Sequence, residues 1–143
     1  MIANINIVNI SASSKLNLRN PVKKMEIGNS LSIKNVVKDK EGKMIVISFE
    51  FKIAYKAEKE DFGNIDFMGS LLWKDDEGHE GELKKTWDKD KKLPEKYSFL
   101  IMNSVLRKCI LSSIDIAQQI NLPPPINIPV IQEKKVQNIE YIG

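Results

Sequence analysis

The sequence predicts an α+β fold in which antiparallel strands come first and a long apolar helix packs on them. Three observations carry this. Between Gly42 and Ala57 apolar side chains fall on every second residue, with Ile45, Ile47, Phe49, Phe51, Ile53 and Tyr55 on one side and Met44, Val46, Ser48, Glu50, Lys52, Ala54 and Lys56 on the other. That period belongs to a β-strand with one buried face, and roughly fourteen such residues span about 45 Å. From Glu95 to about Ile120 the apolar residues instead recur three and four apart, the helical period. Four prolines between Asn121 and Val130 then force an extended crossing.

The elements follow in order. Residues 4–18 read as extended, with Ile5 and Ile7 on one face and Val8, Ile10 and Ala12 on the other, so a bulge is expected at the slip. Leu16 and Leu18 continue this pattern until Asn20-Pro21 interrupts it. Residues 25–34 alternate again: Met25, Ile27, Leu31 and Ile33 are apolar, and Glu26, Ser30, Ser32 and Lys34 are polar. Lys38 to Lys43 is a charged turn before the long strand. Lys56 to Asp61 is a second, and Phe62 or Ile65 opens the next strand. There Ile65, Phe67, Leu71 and Trp73 share a face, with Gly69 marking a bulge. Strands joined by short charged connections make an antiparallel meander.

Lys74 to Lys92 is mostly charge and reads as a long surface connection, pinned to the body by Trp87. Pro94 and Glu95 suit a helix first turn. Phe99, Met102, Leu106, Cys109, Ile110, Ser113, Ile114, Ala117 and Ile120 form its stripe, broadened by Leu100, Ile101, Val105, Leu111 and Ile116. A helix this apolar is expected to pack on its own sheet and against another subunit. Residues 131–142 read as a short second helix.

The 143 residues fit one domain, 1–143. Net charge is +3 and spread along the chain, without the basic block of a nucleic-acid surface. In Lys84 to Lys89 an aromatic sits among lysines, but acidic residues interleave. One cysteine excludes an internal disulfide. No apolar run approaches a membrane span, and the N-terminus carries no secretory signal pattern; a cytoplasmic location is the expectation. His79, the only histidine, stands in an acidic turn without metal-ligand spacing. Cys109 lies within the helical stripe as a small hydrophobe. With no phosphate loop, nucleophile elbow or metal constellation, we expect no enzyme, no cofactor and no metal.

The order of parts resembles the SecB export chaperone family along nearly the whole chain. Ser104-Val105-Leu106-Arg107-Lys108-Cys109-Ile110 is similar to the core of that family's long helix, and Leu122-Pro123-Pro124-Pro125-Ile126-Asn127-Ile128-Pro129-Val130 to its proline crossing. Leu31-Ser32-Ile33 and Met44 to Phe49 resemble its second and third strands. The resemblance implies a four-stranded antiparallel sheet with one long helix and a short C-terminal helix packed on one side. It implies assembly as a dimer of dimers. It implies ATP-independent holding of unfolded client polypeptides in apolar grooves, placed here at Ile27, Leu31, Ile33, Ile126, Ile128 and Val130. Family members are typically acidic where they dock on the SecA motor; the slightly basic balance argues against that partner. Some members serve toxin–antitoxin pairs instead. Departures fall at Gln119-Ile120-Asn121-Leu122 before the prolines and at Gln132-Glu133 after them. The alternatives are an oligomeric scaffold whose apolar surfaces are all subunit interface and, weaker, a nucleic-acid binder.

Overall fold

A computed structural model describes residues 1–15, 24–41, 44–74 and 81–126. The elements are β1 (Ile2–Ser14), β2 (Glu26–Lys38), β3 (Met44–Ala57), β4 (Glu60–Lys74), α1 (Glu82–Asp90) and α2 (Glu95–Gln119). The four strands form one sheet in the order β1-β4-β3-β2, and every pairing is antiparallel. Three strands make the expected meander. The fourth, β1, joins the far edge beside β4, so the two ends of the β1–β2 connection lie at opposite edges.

The long alternating strand behaves as its period dictates. Ile47, Phe51, Ile53 and Tyr55 are fully buried and Phe49 nearly so, while Lys52 and Lys56 are exposed. Across the ladder, Ile47 faces Leu71, Phe51 faces Phe67 and Ile53 faces Ile65, placing both strands' apolar rows on one side of the sheet. The β3–β4 hairpin turns on Glu58 and Lys59 alone, at φ 49° and 69°. A two-residue hairpin turn with positive φ at both positions matches strand twist, but it usually carries asparagine and glycine.

The bulge expected in β1 is present: the register jumps between Ile7 and Asn9, leaving Val8 unpaired. It restores Ile10 and Ala12 to the face of Ile5 and Ile7, opposite Phe67 and Ile65. Gly69 is not itself bulged; it stands in the ladder between Phe49 and Ile7. A Cβ there would lie 2.7 Å from the Phe49 Cζ and overlap the Asn6 carbonyl. β2 runs four residues past the alternation that announced it. A register shift between Ile33 and Asn35 resets the phase, so Val36 pairs with Ile47 and is fully buried.

α2 crosses β4 and β1. Its buried row is Ile101, Val105, Cys109, Ser113 and Ala117, spaced four apart. Cys109, Ser113 and Ala117 belong to the stripe read from sequence, but in its first half Ile101 and Val105 face the sheet in place of Met102 and Leu106, and Phe99 is 77% exposed. The helix was apolar on so many sides that period alone did not select the sheet-facing row there. Ser113 is accommodated because its hydroxyl donates to the Ile110 carbonyl at 2.6 Å. The helix ends in a Schellman arrangement. Asn121 takes φ 61°, and the Leu122 N–H reaches back to the Ala117 carbonyl at 2.9 Å. Leu122 is thereby turned into the core, and the prolines follow.

Within Lys74 to Lys92, read as a surface connection, the described residues 81–92 hold a further element. Glu82–Asp90 is a helix whose Leu83 and Trp87, four apart, are buried. The high charge of the segment masked that pair. Leu16, Leu18, Pro21, His79, Ile128, Val130 and the helix expected over 131–142 lie outside the described residues.

Candidate binding groove

The two helices divide the sheet. α2 lies over β4 and β1, and α1 packs against β2. Their shared face of β2 presents Ile27, Asn29, Leu31 and Ile33, paired with Tyr55, Ile53, Phe51 and Phe49, and then Val36 beyond the bulge. Cover runs out along this line. Val36 is fully buried, Ile33 and Leu31 are half-buried, and Ile27 is 37% exposed. The six-residue step from Ile27 to Ile33 is about 20 Å of extended chain. A strip made of Ile27, Leu31 and Ile33, with Asn29 among them, is thus left open beside a packed core.

At the Ile33 end, β2 meets the junction of α1 and α2 in a cleft of about 610 Å³. Its apolar lining is Ile33, Trp87, Leu93, Pro94, Phe99 and Met102, and Asp90, Lys91, Lys92 and Glu95 supply charge. At the other end stands the start of the proline crossing. The Tyr55 hydroxyl donates to the Pro123 carbonyl at 2.8 Å, and Tyr55 is the ladder partner of Ile27. Ile126, 41% exposed, sits just beyond this tie. Burial pushes the Tyr55 phenol up to about 12, so it remains a donor at ordinary pH.

Of the six residues named for the groove, Ile27, Leu31 and Ile33 therefore share one line, and Ile126 leaves the crossing exposed. Ile128 and Val130 are outside the described residues. Sequence reasoning missed Trp87, Leu93, Pro94 and Met102 as cleft residues and Tyr55 as the anchor of the crossing. The available signal was Leu83 and Trp87 at helical spacing after Gly81.

α1 meets the sheet at β2 and is anchored in the core by Leu83 and Trp87. Both flanks adopt the left-handed region, Gly81 at φ 86° and Lys91 at φ 55°. Glu82 pairs with Lys96 of α2 at 2.9 Å, which holds the Lys96 ammonium above its usual pKa. Lys96 also lies 4.9 Å from the Tyr97 ring centroid, and Tyr97 meets Trp73 with centroids 4.9 Å apart. On the opposite face of the sheet, charge is interleaved. Glu50 accepts from Lys52 at 3.0 Å and Lys34 at 3.4 Å, and Lys52 chiefly holds its carboxyl below the usual range. Lys56 pairs with Asp61.

Cys109 is buried, which pushes its thiol up to about 11, away from a reactive thiolate at neutral pH. Among the described residues no group of three or more metal-ligating side chains occurs, and no helix is long and apolar enough to cross a membrane.

No family profile matches the sequence, and no curated protein matches it significantly. Solved structures do match. One is the SecB-like chaperone Rv1957 of Mycobacterium tuberculosis, in complex with a ChAD peptide from the Rv1956 HigA1 antitoxin, at a TM-score of 0.56. Sequence identity is 14%, over 93% of this chain and 91% of that one. The fold is SecB-like, as the order of elements implies.

Proposed function

We propose that the chain binds non-native polypeptide segments along β2 and acts as an ATP-independent holdase. The observation that carries this reading is the open line Ile27-Leu31-Ile33, uncovered by α2 and ending in the apolar cleft at Trp87 and Met102. An extended client laid along it buries alternate apolar side chains, each Å² contributing about 25 cal/mol before ordering costs. Aliphatic side chains and a methionine impose little sequence preference. The peptide held by the structurally similar Rv1957 supports a polypeptide ligand for this fold. No catalytic role is proposed. Among the described residues of the opposite sheet face, Glu50 is paired with Lys34 and Lys52, so a SecA-type motor is not proposed as a partner.

The test is aggregation of a chemically unfolded protein on dilution. The purified chain at stoichiometric amounts delays light scattering without nucleotide. Unchanged scattering at every ratio up to tenfold excess defeats the reading.

A second reading concerns assembly and is favoured by Leu100 and Leu111, which α2 turns away from its own sheet at 53% and 61% exposure. We propose that this face packs on further copies, giving a homo-oligomer whose expected form is a dimer of dimers. As a pure scaffold, the chain would oligomerise tightly and leave scattering unchanged.

A further inference from the structure

We infer that α1 is a displaceable lid whose Trp87 occupies the far end of the β2 groove in place of a client side chain. The inference rests on the groove reading above. The apolar line on β2 does not stop at Ile33. The bulge at Lys34 carries it on to Val36 on the same face. What ends the open groove is α1, which packs on this end of β2, with Gly81 close to Lys38 and Trp87 sharing the cleft with Ile33. Lifting α1 lengthens the open line from Ile27–Ile33 to Ile27–Val36, from about 20 Å to about 30 Å of extended chain.

The attachments of α1 suit displacement. It is nine residues long, too short to be stable by itself. Two side chains, Leu83 and Trp87, anchor it in the core. Its ion pair to α2, Glu82 with Lys96, is exposed and therefore weak. The left-handed residues Gly81 and Lys91 bound it on both sides, so it can leave as a unit without unwinding α2. The groove thus holds its own substitute ligand. A client side chain entering the cleft replaces the contacts that Trp87 gives up, and the apolar end of β2 stays covered while no client is bound.

Two measurements on the full chain test this. Hydrogen exchange compares the amides of Thr86–Asp90 with those of Val105–Ser113. Local opening makes the former exchange at least about tenfold faster, independently of low denaturant. Equal rates overturn the lid. In the second, Glu82→Cys and Lys96→Cys are joined by a thiol-cleavable bismaleimide, with the buried Cys109 left in place and each single variant treated alongside. The tethered protein loses at least about fivefold in client capture, and reductant restores it; capture equal to the untethered protein overturns the lid. The two readings separate. Fast α1 exchange in a protein that captures nothing supports the lid and defeats the holdase. Capture that survives tethering does the reverse.

Discussion

Tyr55 on β3 donates its hydroxyl to the carbonyl of Pro123, sixty-eight residues on, at 2.8 Å. This bond ties the start of the proline crossing to β3 at Tyr55, whose ladder partner on β2 is Ile27. Tyr55→Phe removes it with little change in volume. We expect a loss of about 0.5–1.5 kcal/mol in urea unfolding and weaker client capture. The phenol's pKa, pushed up to about 12, adds a pH signature. Below the ordinary tyrosine value near 10 both states hold the proton, and stability is fully present. As pH rises toward 12 the unfolded chain loses the proton first and stability falls. Unfolding at pH 9 and pH 11 should show a smaller difference for Tyr55→Phe than for the native chain.

Gly69 lies where β1, β4 and β3 crowd together, with room for no Cβ beside Phe49 and the Asn6 carbonyl. Gly69→Ala is expected to destabilise by about 1–3 kcal/mol through overpacking. The damage falls on the β1 edge, so exchange of the β1 amides should rise well before that of β3.

The β3–β4 turn works against its own residues. Glu58 and Lys59 both take positive φ, which costs side-chain-bearing residues about 1–2 kcal/mol each. Replacing the pair by Asn-Gly should raise stability by about 1 kcal/mol, read as a higher urea midpoint with an unchanged slope. A drop in stability would show that Glu58 or Lys59 contributes elsewhere.

Leu31 and Ile33 are half-buried on the open side of β2. Leu31→Asp and Ile33→Asp each put a charge in the path of an apolar client. We expect capture to weaken about fivefold or more, since about 1 kcal/mol of lost burial is already a factor near five. The oligomeric mass should not change. A parallel loss of mass would place these residues in a subunit interface instead.

Leu100 and Leu111 test the other surface. Leu100→Ser with Leu111→Lys leaves the sheet-facing row of α2 untouched, because both side chains point away from the core. Sedimentation should then show a smaller species with native far-ultraviolet circular dichroism. An unchanged mass would remove α2 from the assembly surface.

The strands were legible because burial on one face writes a period of two into the chain. The rows Ile47-Phe49-Phe51 and Ile65-Phe67-Leu71 are core as their spacing requires. The end of α2 was legible from its prolines. Two things were not. The first half of the sheet-facing row of α2, Ile101 and Val105, was not singled out because nearly every side of that helix is apolar, which erases the contrast that phase depends on. α1 was hidden for the opposite reason, its two anchors being diluted among charges. For the groove, Ile27, Leu31 and Ile33 came from the resemblance. Their place on one open strip depends on where two helices stop, which no local pattern in β2 records.

The buried row of α2 shrinks along its length, from Ile101 and Val105 through Cys109 and Ser113 to Ala117. Small side chains let a helix settle close to what it covers, and larger ones hold it off. The smallest of the row, Ala117, stands at the end by Leu122, which would touch any Cβ placed on Gly63, and the largest, Ile101, at the end by Met102 and Phe99, where the cleft lies. Ala117→Leu is therefore expected to push the end of α2 off the sheet and to shift the helix at the cleft, from a residue that is not part of the cleft lining.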